Sequence, residues 1–407
     1  MAADEISVRC CIAGGGPAGM MLGLLLARAG VDVLVLEKHA DFLRDFRGDT
    51  IHASTLEIMY ELGLLDAFLR RPHQEVRKFG AEIGGIFLDV ADFTHLPTHC
   101  RFIALMPQWD FLNFVAEEAA RYPAFRLEME AEVTDLVETG GRISGLIAET
   151  PEGELLVHAD LVVGADGRHS TVREKAGLEG VDFGAPMDVL WMRLSRRATD
   201  PGQILGRADG GRFLVTLDRG DYWQCAFVIP KGGFDELKSR GLSVFRDEVA
   251  ALAPYLADRI VEIDDWSHVK LLTVAVDRLR SWHRPGLLCI GDAAHAMSPV
   301  GGVGINLAIQ DAVAAANILA LRLLQGAASD DDLRRVQRRR EFPTWATQRL
   351  QLFIQNRVIR RVLQREARPT PPLAFKLLSW WPFLRRIPAR LIGLGFRPEH
   401  VEIPARA

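Results

Sequence analysis

The sequence predicts an α/β protein in which a Rossmann-like dinucleotide-binding domain carries an inserted mixed β-sheet domain and a C-terminal helical arm. Three observations lead there. A glycine-rich turn, Gly14-Gly15-Gly16-Pro17-Ala18-Gly19, separates an apolar strand-like run from an apolar helix-like run. Two more glycine turns, Gly164-Ala165-Asp166-Gly167 and Gly291-Asp292 running on to Gly304, follow short apolar runs far downstream. Between them, from about residue 181, the pattern changes to alternating strands of a separate sheet. A chain of 407 residues exceeds one simple core, so two packed domains plus an appendage are expected. The expected boundaries are 1–75, 100–180 and 281–332 for the dinucleotide-binding domain, 76–99 and 181–280 for the inserted substrate domain, and 333–407 for the arm.

In chain order, residues 8–13 read as a buried strand, 17–29 as an apolar helix stopped by Gly30, and 31–36 as a second strand ending at Glu37. That is a βαβ unit of about 30 residues, the setting in which a glycine fingerprint is credible. Helical periodicity follows over 56–69 and 109–120. Residues 126–137, 142–149 and 154–158 alternate as antiparallel strands, and 161–163 is a buried strand entering the second glycine turn. In the inserted region 189–196, 212–217 and 223–229 read as strands. Pro230-Lys231-Gly232-Gly233 breaks that pattern, and 234–256 reads as helical. A buried strand returns over 287–290, and an Ala/Leu-rich helix is expected over 306–324. Asp330-Asp331-Asp332 marks a solvated linker or a helix cap.

Composition narrows the function class. At 48% hydrophobic and 25% charged the chain is an ordinary globular enzyme by content, and its net charge of −4 argues against a nucleic-acid binder. Charge is unevenly spread. From Leu333 onward there are 17 Lys and Arg against 4 Asp and Glu, a local +13 that leaves −17 on the rest. Five cysteines (Cys10, Cys11, Cys100, Cys225, Cys289), odd in number and without CxxC spacing, suit reduced thiols in the cytoplasm and remove a dithiol redox centre. The acidic start (Asp4, Glu5) does not read as a signal peptide, no uninterrupted apolar run suggests a membrane-spanning helix, and no metal site is expected.

The first glycine turn has a mechanical reading. Gly14 permits the tight turn, Gly16 lets backbone approach a pyrophosphate, and Gly19 lets helix and strand pack closely. The helix start at Pro17-Ala18 then offers free N–H groups and a positive dipole to that pyrophosphate. Glu37, with Lys38 after it, is placed to accept from a ribose hydroxyl pair, and its charge disfavours a 2′-phosphate there. No second G-x-G-x-x-G follows a strand, so no separate nicotinamide domain is expected.

Together the three segments resemble those of the class A flavoprotein monooxygenases, the para-hydroxybenzoate hydroxylase-like family, over residues 8–324. Gly164-Ala165-Asp166-Gly167-Arg168-His169-Ser170-Thr171-Val172-Arg173 resembles that family's DG motif, and Gly291-Asp292-Ala293-Ala294-His295 with Pro299 its GD motif. The resemblance implies a bound, non-covalent FAD. Asp166 would contact it, Asp292 would bond its ribityl chain, and the turn through Gly301, Gly302, Gly304, Ile305 and Asn306 would bring backbone towards the flavin. Arg47 and Gln108 fall where the family places flavin-contacting residues, and each also reads as a surface or capping residue. The implied reaction is hydroxylation of an electron-rich aromatic, phenolic, quinone or polyketide-like molecule, through a flavin C4a-hydroperoxide formed from O2 after transient reduction by NADPH or NADH.

The inserted sheet nominates Trp191, Arg193, Arg212, Tyr222 and Gln224 near the substrate, with Arg212, Tyr222 and Gln224 the catalytic candidates. Alternation allows only some of them to face inwards, and each also reads as a packing or exposed residue. His295, inside a cofactor motif, reads as structural. A halogenase would carry W-x-W-x-I-P; here Phe227 stands at the second Trp of Trp223-Gln224-Cys225-Ala226-Phe227-Val228-Ile229-Pro230, and no motif surrounds Lys78. The tail mixes aromatics and arginines over 377–386. One reading docks it on the acidic body with its Trp residues buried near the substrate entrance; the other dips it into an anionic membrane. The rival function is a reductase or dehydrogenase acting on an isoprenoid or polyketide without oxygen transfer. Substrate identity, the choice of nicotinamide nucleotide and oligomeric state are not encoded in these motifs.

Overall fold

A computed structural model describes residues 4–43, 50–201, 205–363 and 373–404. The main sheet is a parallel core with antiparallel additions. Its strand order is His283–Arg284, Leu287–Cys289, Gly153–Gly164, Asp4–Ala13, Val33–Glu37 and Phe125–Met129, with Arg142–Thr150 and then Glu132–Thr139 added antiparallel along Gly153–Gly164. Apolar runs form these central strands because both faces are covered, as a parallel sheet requires. The register is the fact that matters for function. Ala13 pairs with both Gly164 and Leu36, and Gly164 pairs with Cys289, so four neighbouring strands end level at their carboxyl ends. The three glycine turns and Glu37 leave from that one rim.

Pro17–Arg28 and Gly304–Gln325 pack together against this sheet. The segment over 300–325 is long and apolar enough to cross a membrane, yet 72% of its apolar 18-residue window is buried inside the molecule, as in a core helix. Gly19 has no room for a side chain, since a Cβ there would overlap the Gly14 carbonyl oxygen.

The second sheet has seven strands in the order Lys270–Leu272, Met187–Ser195, Tyr222–Pro230, Arg212–Asp218, Leu205–Asp209, Lys78–Ile83 and Ile86–Asp92. It is mixed, with Leu205–Asp209 running parallel to Lys78–Ile83. Its faces differ as period two demands. Leu190, Met192, Leu194, Leu214, Trp223, Cys225, Phe227 and Ile229 pack into a core with Phe245, Val249 and Leu252 of the helix Leu242–Leu252. The opposite face looks across at the rim of the first sheet.

Several local expectations are corrected. The helix over 56–69 is two helices, Ala53–Glu61 and Leu65–Leu69, because Gly63 adopts φ 72° between them. The strand over 126–137 is two strands, Phe125–Met129 and Glu132–Thr139, with Glu130 at φ 55° turning the chain out of the parallel core. Residues 154–158 and 161–163 belong to one strand, Gly153–Gly164. Of the two readings of Asp330-Asp331-Asp332, linker or helix cap, the structure gives the cap. The run forms the first turn of Asp330–Ile354, where Ser329 and Asp332 make a reciprocal capping box and the acids face the positive end of the helix dipole.

The tail does dock, with Arg385 Nη1 2.8 Å from Asp89 Oδ2. Its tryptophans, however, are not buried: Trp380 is 64% and Trp381 51% exposed, beside Phe383 at 62%. The burial half of that docking reading is therefore wrong.

Candidate active site

A cleft of about 860 Å³ runs between the rim of the first sheet and the inner face of the second. One end is lined by glycine turns and the other by aliphatic and aromatic side chains.

At the glycine end the lining includes Gly14, Gly16, Pro17, Ala18, Glu37, Lys38, Gln108, Asp166, Asp292, Pro299, Gly301, Gly302, Gly304 and Ile305. Gly14 sits at φ 105°, and a Cβ there would strike Ala165 backbone. Gly16 has nothing within 4 Å on its side-chain side. The helix Pro17–Arg28 has no side-chain cap, so the N–H groups of its first turn are available to a ligand in the cleft. This cradle fits a dinucleotide pyrophosphate. Glu37 is 8% exposed; its Oε2 accepts from Gly15 N at 2.9 Å and its Oε1 from His39 N at 3.2 Å. The carboxylate thus ties the loop to the next strand while bordering the cleft.

Asp166 accepts from Ser170 Oγ at 2.5 Å and from Val172 N at 3.1 Å, which places it at the start of the short helix Thr171–Lys175. Burial pushes its carboxyl up, against the pull of those hydrogen bonds. Asp292 lies 4.0 Å from Arg168 Nη2, joining the second and third glycine turns across the cleft.

Three expected cofactor residues lie behind the lining. Gly19 and Gly291 are packing positions, and a Cβ on Gly291, at φ 59°, would press on Ala18 and Ala308. Asn306 is 3% exposed; its Oδ1 accepts from His52 N at 2.7 Å and Thr55 Oγ1 at 2.8 Å, while its Nδ2 donates to Thr50 O at 2.9 Å. It ties the flavin-side turn to the segment 50–55. Arg47 lies outside the described residues.

Behind the third turn is a buried charge network that the sequence did not reveal. Asp311 Oδ2 accepts from Gly291 N at 3.1 Å and meets His295 Nε2 at 2.6 Å, and its Oδ1 accepts from Arg340 Nε at 2.9 Å. Arg340 Nη1 also reaches Glu399 Oε1 at 3.1 Å. Burial raises the Asp311 carboxyl, but the charges and bonds of His295 and Arg340 outweigh it and hold the group below the usual carboxylate range. His295 is therefore committed to holding the turn. Gln348, Gln351 and Gln355 add a second set of ties; Gln351 Nε2 donates to both Ser298 O and Val300 O at 2.9 Å. Their spacing of three and four on one helical face was the available signal.

At the apolar end, the inner face of the second sheet contributes Met187, Val189, Trp191, Phe213, Val215 and Leu217. Of the five side chains nominated there, Trp191 alone lines the cleft. Arg193 stacks on the Tyr222 ring at 3.8 Å, Gln224 accepts from Arg219 Nε at 2.9 Å, and Arg212 extends from the turn at the far end of its strand. None of the catalytic candidates Arg212, Tyr222 and Gln224 is among the lining residues. Cys225 and Phe227, which fall at the two Trp positions of the halogenase pattern when Ile229-Pro230 are aligned, pack into the core on the other face, as does Trp223. Lys78 is 54% exposed, 4.0 Å from Asp92, and away from the cleft.

Comparison with known proteins agrees with this geometry. A family model described as FAD binding domain matches residues 7–350. The chain is 34% identical over 392 residues to 6-methylpretetramide 4-monooxygenase of Streptomyces rimosus, covering 96% of this chain and 93% of that protein. It is 32% identical over 313 residues to rifampicin monooxygenase of Streptomyces venezuelae, covering 74% and 61%. Among solved structures, p-nitrophenol 4-monooxygenase PnpA from Pseudomonas putida DLL-E4 shares the fold with a TM-score of 0.74 at 20% identity, covering 95% of this chain and 97% of that one.

Proposed function

The chain belongs to the FAD binding domain family, among the class A flavoprotein monooxygenases, and from that premise we propose that it hydroxylates a fused-ring, polyketide-like aromatic with O2 and NADPH or NADH. FAD, when bound, supplies the electrophilic oxygen; this chain's residues hold, orient and shield what reacts. The observation that carries the reading is the two-ended cleft, a glycine-turn cradle continuing into an apolar chamber under the second sheet.

In this reading Gly14, Gly16, Pro17 and Ala18 hold the pyrophosphate, Glu37 and Lys38 the adenosine ribose, and Gln108, Asp166 and Asp292 the ribityl region, while Gly19 and Gly291 act from behind by letting the turns pack closely. Pro299, Gly301, Gly302, Gly304 and Ile305 form the turn beside the flavin, supported by Asn306; Arg47 stays an expectation from sequence. Residues 1–75, 100–180 and 281–332 act as the cofactor domain and 76–99 and 181–280 as the substrate domain. The nicotinamide nucleotide docks transiently, since no second fingerprint turn exists to hold it.

The test is aerobic turnover of 2-hydroxyanthraquinone with NADPH and with NADH, analysed by mass spectrometry. A product heavier by one oxygen supports the hydroxylase; a product that is only reduced, or none with any fused-ring phenol, returns the reading to a reductase.

The arm is proposed to rest on an anionic lipid surface. Leu373, Trp380, Trp381, Phe383 and Ile387 are exposed, and residues 373–398 contain Lys376, Arg385, Arg386, Arg390 and Arg397 with no acid. Phe375, Leu391 and Ile392 of the same arm line the cleft, so an apolar substrate has a short path from lipid to chamber. A cytoplasmic setting suits the five cysteines, all buried and free.

A further inference from the structure

Among the described residues lining the cleft, two side chains hold a buried polar atom with no hydrogen-bond partner: Nε2 of His52 and Nε1 of Trp191. Leaving such an atom unsatisfied costs about 1–3 kcal/mol, and within this apolar chamber a ligand is the source of a partner. The two atoms have opposite character. His52 Nδ1 lies 2.7 Å from the Ile392 carbonyl oxygen, which only accepts, so Nδ1 carries the ring proton. Nε2 is then a bare lone pair. Burial pushes the imidazole pKa down to about 4, against the Ile392 carbonyl, so the ring is neutral near neutral pH. Its backbone is pinned by Asn306 behind the flavin-side turn. Trp191, on the strand Met187–Ser195 under the second sheet, has an indole N–H that only donates.

The rest of the chamber is as informative. Among the described residues, the lysine and arginine that line the cleft, Lys38 and Arg168, both follow glycine-rim strands, and the second sheet contributes neither residue type to the lining. A carboxylate or phosphate under that sheet finds no lysine or arginine among the described residues as counter-charge.

We propose that His52 is a catalytic residue whose Nε2 accepts the hydroxyl hydrogen of the substrate, that Trp191 Nε1–H donates to a substrate carbonyl, and that the substrate is therefore an uncharged fused-ring phenol carrying a carbonyl group. The inference rests on the hydroxylase reading and deepens it. As OH is added to a ring carbon ortho or para to the hydroxyl, ring electrons form the new C–O bond and the oxygen donor leaves with the electron pair of the bond that breaks. The substrate O–H bond breaks, its pair closes a C=O bond, and the proton joins the Nε2 lone pair. A weakly basic imidazole suffices, because oxygenation makes that hydroxyl strongly acidic. The C–H proton at the oxygenated carbon passes to solvent, balancing the negative charge with which the donor left; the aromatic ring is restored, and Nε2 returns its proton to the ring oxygen. The net change is C–H to C–OH.

The test is equilibrium binding, to the FAD-loaded protein, of 2-hydroxyanthraquinone and of 2-methoxyanthraquinone, which differ in the hydrogen that Nε2 would accept. Wild type should bind the phenol about tenfold more tightly than the methyl ether. His52→Phe should bring that ratio to one, and His52→Gln, which keeps an acceptor, should retain a preference for the phenol. Trp191→Phe should weaken both probes alike. Equal affinities in wild type, a ratio that survives His52→Phe, or loss of FAD from both His52 variants would overturn the proposal, the last by placing Nε2 against the cofactor. Binding needs no turnover, so its failure is distinct from failure of oxygen insertion, which product analysis judges separately.

Discussion

Gly16 and His52 stand at opposite ends of legibility. Gly16 belongs to a fingerprint whose constraints act within six residues, so its role was readable from sequence. Its φ of −74° is open to any residue and no atom lies within 4 Å of its side-chain side. Gly16→Trp should therefore fold and purify without FAD, the indole filling the pyrophosphate's path; full flavin content in the visible spectrum would refute the loop assignment. His52 was invisible because its partners are 254 and 340 residues away, at Asn306 and Ile392. Its depressed pKa has a consequence for stability. Between pH 6.5 and about 4 the unfolded chain takes up a proton that the buried ring refuses, so stability is full above 6.5 and falls as pH drops towards 4, by about 3 kcal/mol in all. Thermal melts over that window should fall more steeply for wild type than for His52→Gln; parallel curves would show that the ring titrates normally in the folded protein.

Elements with one strong period were legible, and those that change direction inside an apolar run were not. The long helix Gly304–Gln325 and the first βαβ unit follow from pattern alone. The breaks at Gly63 and Glu130 hide because apolar residues on both sides keep the period going while one positive φ turns the chain. Asp330–Ile354 is the element whose function composition misrepresented. Its arginines suggested a basic tail, whereas Gln348 and Gln351, with Arg340, hold the 291–300 segment in place. Beyond it, the exposed Trp380-Trp381-Pro382-Phe383 stretch carries its own prediction. Wild type should cosediment with vesicles containing about 30% phosphatidylserine and much less with neutral ones, and a Trp380→Ser, Trp381→Ser, Phe383→Ser variant should lose binding while keeping FAD. Equal recovery with and without vesicles would remove the lipid-surface reading.

At the scale of the whole molecule, function depends on two sheets facing each other. Local pattern showed that both exist; it could not show that strands starting near residues 4, 33, 153 and 287 end level, which is what gathers Gly14, Glu37, Asp166 and Asp292 on one rim. Nor could it show how far along the strands of the second sheet the cleft extends: Arg193, Tyr222 and Gln224 share the face of Trp191 and Ala226 but lie past its end, and Arg212 alternates to the face of Leu214. The account's central claim is that this cleft brings an aromatic ring to a flavin that inserts oxygen. The most direct measurement is turnover of 2-hydroxyanthraquinone under ¹⁸O2 in ordinary water, with the product's isotopic mass read by mass spectrometry. One ¹⁸O atom in the new hydroxyl is the predicted result; a hydroxyl drawn from water, or oxidation of the probe without any label, would contradict it.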